Sequence, residues 1–352
     1  MQNYGLIREG AGNAVLRAIP LPKLRDDYLL VRTVAVALNP TDWTTLDADG
    51  DDGTIVGCDY AGVVEEVGKA VTKAFKKGDR VAGFSHGGND AHPETGAFAR
   101  YITVKGDTQM HIPAGVSFEA AATVGVGIGT LGYAMYKVLK LPLPDTVLEG
   151  VGESPEPVLI YGGSTATGTL AIQFARLSGR KVITTCSPRH FGLVKERGAD
   201  IVYDYHIPQV GTQIRQVTDG KLKAVFDTVS LDSSAAICAD AIGPAGGVYC
   251  NLLGVDCPRS DVQSVFFLGY SISGEAYIFE GQSYDASPED FIFARRWYEI
   301  AERLWAQGKW TPHPQRIGPD GLLGALAGMQ ELRQGKVSGE KLVYRVDETM
   351  WP

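Results

Sequence analysis

Cysteine is scarce in this chain of 352 residues, and what there is lies scattered. Cys58, Cys186, Cys238, Cys250 and Cys257 are odd in number, and no two form a C-x-x-C pair. That pattern argues against a disulfide framework and for reduced thiols. Long apolar runs are also missing: no segment reaches the roughly 18 residues of a membrane span. Positive charge is in the minority, with 33 Lys+Arg against 41 Asp+Glu and a formal net charge of -8. Nucleic acid, which needs a basic field, is therefore not an expected partner. The start, Met1-Gln2-Asn3-Tyr4-Gly5, has no basic stretch leading into an apolar core, so a cytoplasmic location is expected. Internal repeats and low-complexity runs are absent as well. Glycine, by contrast, is abundant at 43 residues, which suits a fold with many tight turns. The length suits two domains.

Residues 1–110 read as short strands: Tyr28–Leu38, Tyr60–Gly68, Arg80–Phe84 and Ala97–Val104. Close spacing with glycine turns suggests a β-barrel-like domain. Ser117 is a candidate N-cap for a helix, and a second helical pattern runs from about Thr130 to Lys140. The prolines at 142, 144, 155 and 157 mark a loop. Beyond it strands alternate with helices: Val158–Tyr161, a helix near 166–178, Lys181–Thr185, Ile201–Tyr203, Ala224–Asp227 and Gly247–Leu252. Such alternation implies a doubly wound parallel sheet. Phe291–Gln307 reads as a helix and Lys341–Val346 as a strand. The expected fold is α/β, a Rossmann domain inserted into a GroES-like β-barrel domain. Its boundaries fall at 1–126, 127–275 and 276–352.

Val158–Arg176 places strand, glycine turn and helix in the order a dinucleotide site requires. Gly162 and Gly163 permit the sharp turn, Gly168 permits close helix–strand packing, and the helix start faces the pyrophosphate. The spacing departs from strict G-x-G-x-x-G, and a glycine turn that binds nothing is the alternative. The next strand ends in Ser187-Pro188-Arg189-His190, where an NAD enzyme places Asp or Glu. Serine and arginine suit a 2′-phosphate, so NADPH is the expected cofactor. An exposed arginine with no ligand is the alternative for Arg189.

Zinc alcohol dehydrogenases share this layout. At their ligand positions the chain reads Asn39-Pro40-Thr41-Asp42-Trp43 and Gly57-Cys58-Asp59, and the four-cysteine lobe is missing. One thiolate and one carboxylate do not make a zinc site. No metal is expected, and reduction of an enone or enoyl group fits better than alcohol oxidation.

The segments 39–43, 57–68 and 96–101 resemble the quinone-reductase-like branch of the medium-chain dehydrogenases. Residues 125–130, 139–144, 161–168, 185–191 and 336–343 resemble the trans-acting enoyl reductases of fungal polyketide synthases (the lovastatin enoyl reductase type). The resemblance spans nearly the whole chain. It implies a monomer acting in secondary metabolism on a chain carried by the acyl carrier protein of a polyketide synthase. Hydride goes from NADPH to the β carbon of an α,β-unsaturated thioester, and a proton to the α carbon. It also implies cofactor contacts at Thr41, Asp42, Trp43 and Thr44, at Ser164, Thr165, Ala166 and Thr167, and at Ser187, Pro188, Arg189 and His190. Tyr205, Leu252, Leu253, Val343 and Tyr344 complete that set. Substrate contacts are implied at Thr130, Leu131, Gly132, Tyr133, Ala134, Met135, Tyr136 and Lys137, and at Ser271, Ile272, Ser273, Gly274 and Glu275. One departure stands out: family members commonly carry Lys where this chain has Thr44.

Thr130 is the candidate catalytic residue, as a donor to the nicotinamide amide or the thioester oxygen. A helix-capping role is its alternative. Tyr205 is either an adenosine-phosphate contact or a loop aromatic, and Tyr344 either closes the cofactor cleft or is a plain strand residue. The histidines at 86, 92, 111, 206 and 313 read as surface or loop residues. Lys69, Lys73, Lys76, Lys77 and Arg80 form a basic run, read as a solvated turn or, alternatively, as a greeting surface for an acidic carrier protein. A stand-alone quinone or alkenal reductase, and a non-reductive enzyme or binding protein reusing the fold, are the competing functions.

Overall fold

The computed structural model describes residues 2–146 and 155–352. The expected proline loop lies partly outside the described residues. The chain forms two compact units, Met1–Gly129 with Tyr270–Pro352, and Thr130–Gly269. The boundaries therefore fall three residues later and six earlier than 126/127 and 275/276. The reason is local bonding. The Trp297 indole N–H donates to the Ile128 carbonyl at 2.8 Å, and Glu275 is held by Arg25, Tyr28 and Lys105, all within the first unit.

In the first unit β1 (Asn3–Arg8) pairs antiparallel with β2 (Ala14–Ile19). The long β3 (Tyr28–Ala37) is followed by helix α1 (Pro40–Asp47), β4 (Asp59–Val67), β5 (Arg80–Phe84), β6 (Tyr101–Lys105) and β7 (Met110–His111). β3 is the spine. One side pairs along its length with β4; on the other, Tyr28–Arg32 pair with β6 and Ala35–Ala37 with the strand Lys341–Arg345. Two register shifts, at Leu30/Val31 and Thr33/Ala35, bend it. The strand is also covered on both faces, which is why Tyr28–Ala37 reads as nearly continuous apolar sequence. Leu29, Val31, Val36, Tyr60, Val81, Phe98 and Ile102 make its core.

Of the expected strand Ala97–Val104 only Tyr101–Val104 is strand, within β6. Gly96 sits at φ 142, where a Cβ would lie 2.4 Å from the Ile55 carbonyl oxygen. Ala97 and Phe98 bond instead to Gly57 and Val56. Ser117 caps α2 (Phe118–Ala121) by accepting from the Ala120 N–H at 3.1 Å. The next helix, α3, begins at Gly125 and not at Thr130. A Cβ at Gly125 would meet the Gly83 carbonyl oxygen at 2.1 Å, so the glycines that mask the helix in sequence are what let it lie against β5.

The second unit holds a six-stranded parallel sheet: β8 (Pro157–Tyr161), β9 (Lys181–Thr185), β10 (Ile201–Tyr203), β11 (Ala224–Asp227), β12 (Gly247–Asn251) and β13 (Val262–Phe266). The spatial order is β10-β9-β8-β11-β12-β13. The order reverses between β8 and β11, so the crevice for a ligand lies beyond the carboxyl ends of those strands. Helices α4 (Ala166–Leu177), α5 (Phe191–Glu196), α6 (Val210–Val217) and α7 (Asp232–Ala241) connect the strands. β13, α6 and α7 were not visible from sequence. No helix among the described residues is long and apolar enough to cross a membrane.

Candidate active site

The turn after β8 is built for close approach. Gly162 has φ 78, and a Cβ on Gly163 would stand 2.0 Å from Thr184 Oγ1. On Gly168 it would stand 2.3 Å from the Gly162 carbonyl oxygen. Thr165 caps α4 by accepting from the Gly168 N–H at 2.9 Å, and Thr228 donates to the Tyr161 carbonyl at 2.8 Å. Ser164, Thr165, Ala166 and Thr167 stay half-exposed at the helix start. This cradle fits a pyrophosphate.

At the end of β9, Ser187 and Tyr205 come together, their hydroxyl oxygens 3.1 Å apart. Pro188–His190 form one 3-10 turn, with the exposed Arg189 donating from Nε to His190 Nε2 at 3.2 Å. Burial and then the Arg189 charge push the His190 pKa down. Sequence reasoning missed the groups that hold the neighbouring turns. Asp227, fully buried, accepts from the Val229 and Ser230 N–H groups at 2.9 Å and from Tyr249 OH at 2.8 Å. Ser230 Oγ accepts from the Leu252 N–H at 2.8 Å. Leu253 next to it is 65% exposed. The available signal was a short polar residue just after an apolar strand.

Thr130 lies inside α3 and is half-buried, so it caps nothing. α3 runs on into a π-helix, Tyr133–Val138, with the Leu139 N–H bonded to the Ala134 carbonyl. Leu131, Ala134, Met135 and Tyr136 are buried in the unit's core and Gly132 has no side chain to offer. That leaves Thr130, Tyr133 and Lys137 as the reachable side chains of the segment. Tyr133 stacks on Phe267 at 4.6 Å, with the Lys137 ammonium 5.2 Å from its ring centre.

The remaining expected residues belong to the first unit. Asn39 caps α1, its N–H donating to Asp42 Oδ2 at 2.7 Å. Burial pushes the Asp42 carboxyl up to about 7. Thr41 meets Tyr270, the two hydroxyl oxygens 2.6 Å apart, and Thr44 donates to the Thr41 carbonyl at 3.3 Å. Trp43 is half-buried beside the Arg333 guanidinium. Val343 and Tyr344 are 0% and 3% exposed. Tyr344 fills the space left by Gly318, Gly324 and Gly328 and packs there as a core residue. Among 271–275, Ile272 is buried and Glu275 is engaged by Arg25 at 2.5 Å, Tyr28 at 2.8 Å and Lys105 at 2.8 Å. Burial alone would raise its carboxyl, but Arg25 and Lys105 hold it below the usual carboxylate range.

The positions that carry zinc in alcohol dehydrogenases are otherwise occupied. Asp59, fully buried, pairs with the Lys341 ammonium, which also donates to Asn39 Oδ1 at 2.8 Å. Its other oxygen accepts from the Val126 N–H at 2.6 Å. Burial and the nearby Asp42 push the Cys58 thiol up, away from thiolate. These residues do not fit a zinc ion. His86 and His313 lie in loops but are buried there: His313 is 1% exposed, and burial drops His86 to about 3. Lys69, Lys73, Lys76 and Lys77 all face carboxylates, which neutralises the basic run as a solvated turn would.

A barrel-like unit joined to a Rossmann-ordered sheet defines a medium-chain dehydrogenase/reductase. The alcohol dehydrogenase GroES-like domain family matches residues 25–114, and the zinc-binding dehydrogenase family matches residues 166–284. The CurK enoyl reductase structure shares the fold at TM-score 0.76 and 19% identity, covering 98% of this chain and 99% of its own. Trans-enoyl reductase ACTTS2 of Alternaria alternata is 45% identical over 344 residues, 97% of this chain and 98% of its own length. Trans-enoyl reductase TOXD of Cochliobolus carbonum is 56% identical over 260 residues, covering 74% and 86%. The chain belongs to the trans-enoyl reductase family, oxidoreductases that act on carbon–carbon double bonds with a nicotinamide cofactor.

Proposed function

We propose that this chain is a zinc-independent, NADPH-dependent enoyl reductase acting in trans, as a monomer, on an α,β-unsaturated thioester carried by the acyl carrier protein of a polyketide synthase. The observation that carries the reading is the pairing of a glycine cradle with a carboxylate-free strand end. Gly163 and Gly168 leave space that a Cβ would fill, and Ser187, Arg189, His190 and Tyr205 gather where a ribose 2′-carboxylate partner would stand in an NAD enzyme.

NADPH, when bound, supplies the hydride that reduces the β carbon. Gly162–Thr167 and the start of α4 hold the pyrophosphate through backbone N–H groups. Arg189 and Ser187 hold the 2′-phosphate by charge and hydrogen bonding. Thr130 donates to the thioester oxygen and stabilises the charge that develops there. Tyr133 and Lys137 offer the acyl chain an apolar ring and a cation.

The test is NADPH consumption with three substrates: an unsaturated pantetheine thioester, a small free enone and none. The thioester alone should be turned over well. Preferred turnover of free enones would make the protein a quinone or alkenal reductase. Product without NADPH loss would make it a non-reductive enzyme, the alternative that Thr44 keeps open. Thr44→Lys decides whether the threonine limits reduction, because only then does the lysine variant run faster.

A further inference from the structure

We infer that the first unit binds one ordered water molecule between the Arg8 guanidinium and the Asp42 carboxyl. The inference does not depend on the reaction proposed above. Arg8 ends β1 and is only 4% exposed. A guanidinium keeps its charge inside a protein, so once buried it needs its N–H groups met. Its Nη atoms donate to carbonyls at the end of α1, to Thr45 at 3.2 Å and to Ala48. No carboxylate lies within ion-pair distance of it among the described residues, and its Nε–H has no partner there. Asp42, in the first turn of the same helix, is 3% exposed. Its Oδ2 accepts from the Asn39 N–H at 2.7 Å, while its Oδ1 is buried and has no partner among the described residues.

Both side chains line the same cavity of about 10 Å³, walled in part by Thr45, Gly57, Gly87 and Gly88. All of these residues belong to the first unit. A Cβ on Gly87 would stand 2.3 Å from the Gly57 carbonyl oxygen, and one on Gly88 2.6 Å from Thr45 Cγ2. The turn at 87–88 therefore comes this close to α1 only because it lacks side chains. The space left takes one water and nothing larger. Charge decides among small ligands. An anion would suit Arg8 but face Asp42, and a cation would suit Asp42 but face Arg8. A neutral molecule that both accepts and donates suits the two together, accepting from Nε–H and donating to Oδ1. Burial pushes the Asp42 carboxyl up to about 7, and water answers its protonated form as well, since one water oxygen accepts from both sides. The bridge ties the last residue of β1 to the first turn of α1, while the Nη bonds hold the helix end. One side chain and one water thus fix both ends of the helix.

A crystal structure of the full chain, at a resolution that shows ordered water, tests this. The expected result is a single peak within about 2.7–3.2 Å of both Arg8 Nε and Asp42 Oδ1. No peak, or a peak that reaches only one of the two atoms, overturns the inference. Crystals soaked in sodium bromide separate water from an anion: an anomalous bromide peak at the site overturns the inference, and its absence beside the bridging peak supports it. In solution, magnetic relaxation dispersion of the solvent oxygen counts long-lived internal waters. Asp42→Leu removes the polar partner and fills the space, so it should lower that count by about one. Asp42→Asn keeps a polar partner and should leave the count unchanged. Equal counts in wild type and Asp42→Leu overturn the inference, as does a lowered count in Asp42→Asn. If Asp42→Leu fails to fold, the wild-type crystal decides alone.

Discussion

Arg189→Ala isolates the one charge on which the choice between NADPH and NADH rests. Arg189 is exposed, and its Nε contact is His190 at 3.2 Å; no carboxylate pairs with it among the described residues. Removing it therefore breaks no internal ion pair, and fold stability should stay within about 0.5 kcal/mol of wild type. A charge-assisted bond to a phosphate is worth about 1.5–3 kcal/mol, and the exposure of this site places it at the lower end. At about 1.4 kcal/mol per decade, the NADPH Kd should rise about tenfold. NADH has no 2′-phosphate and should change less than about twofold on the same arithmetic. Cofactor fluorescence titrations at two ionic strengths measure both. The NADPH penalty should shrink as salt screens the contact, and Arg189→Lys should fall between wild type and Ala because it keeps charge but loses the fork. Equal weakening of both cofactors, or none, would refute the 2′-phosphate reading.

Three further outcomes follow from the packing. Gly168→Ala brings a Cβ to 2.3 Å from the Gly162 carbonyl oxygen, so it should cost about 1–3 kcal/mol in urea unfolding and weaken NADPH; an unchanged Kd would show that the turn does not cradle phosphate. Lys341→Met leaves Asp59 buried without its cation and should cost about 3–5 kcal/mol, whereas Lys341→Met with Asp59→Asn should recover much of the loss. Urea midpoints of the two variants test this, and a double variant as weak as the single would refute it. His111 is raised above its ordinary pKa, chiefly by its hydrogen bond to Glu302. Its stabilising share is therefore complete below the unfolded value near ~6.5 and fades as pH rises through the raised native value. His111→Gln should destabilise more at pH ~6 than at pH ~9, by a modest amount because the ring is half-exposed; equal losses at both would remove the claim.

The parallel sheet was legible because its strands are short apolar runs set off by glycine and proline. Lys181–Thr185, Ile201–Tyr203 and Ala224–Asp227 fall where the pattern puts them. The edge strand Val262–Phe266 escaped because an edge strand is half-exposed and mixes Gln263 and Ser264 into its run. α3 escaped because Gly125, Gly127 and Gly129 lower helix propensity, while the close approach they permit appears only in three dimensions. In the candidate site, the local turns at Gly162–Thr167 and Ser187–His190 were readable from type and spacing. The packing of Tyr344 was not, because nothing local marks a strand tyrosine that fills a gap above three glycines. Tyr270 was also hidden: its partner Thr41 is 229 positions away.

The distance between Lys341 and Asp59 carries the same lesson into chemistry. They are 282 positions apart, yet they settle what the zinc-like positions do. A zinc enzyme lends the charge of its metal to the substrate. Here an ammonium ion is bonded to Asn39 and Asp59 and only 4% exposed. Its charge is spent on the carboxylate and on tying the last strand to the loop before α1. In the proposed reaction, polarisation of the substrate falls to neutral hydroxyls such as Thr130. Neutral donors suffice for a conjugated thioester, in which the double bond is already polarised by its own carbonyl, and serve poorly for an isolated alcohol, whose proton must leave. Under the proposed function, a first unit whose buried lysine is committed to Asp59 suits the reduction of activated double bonds.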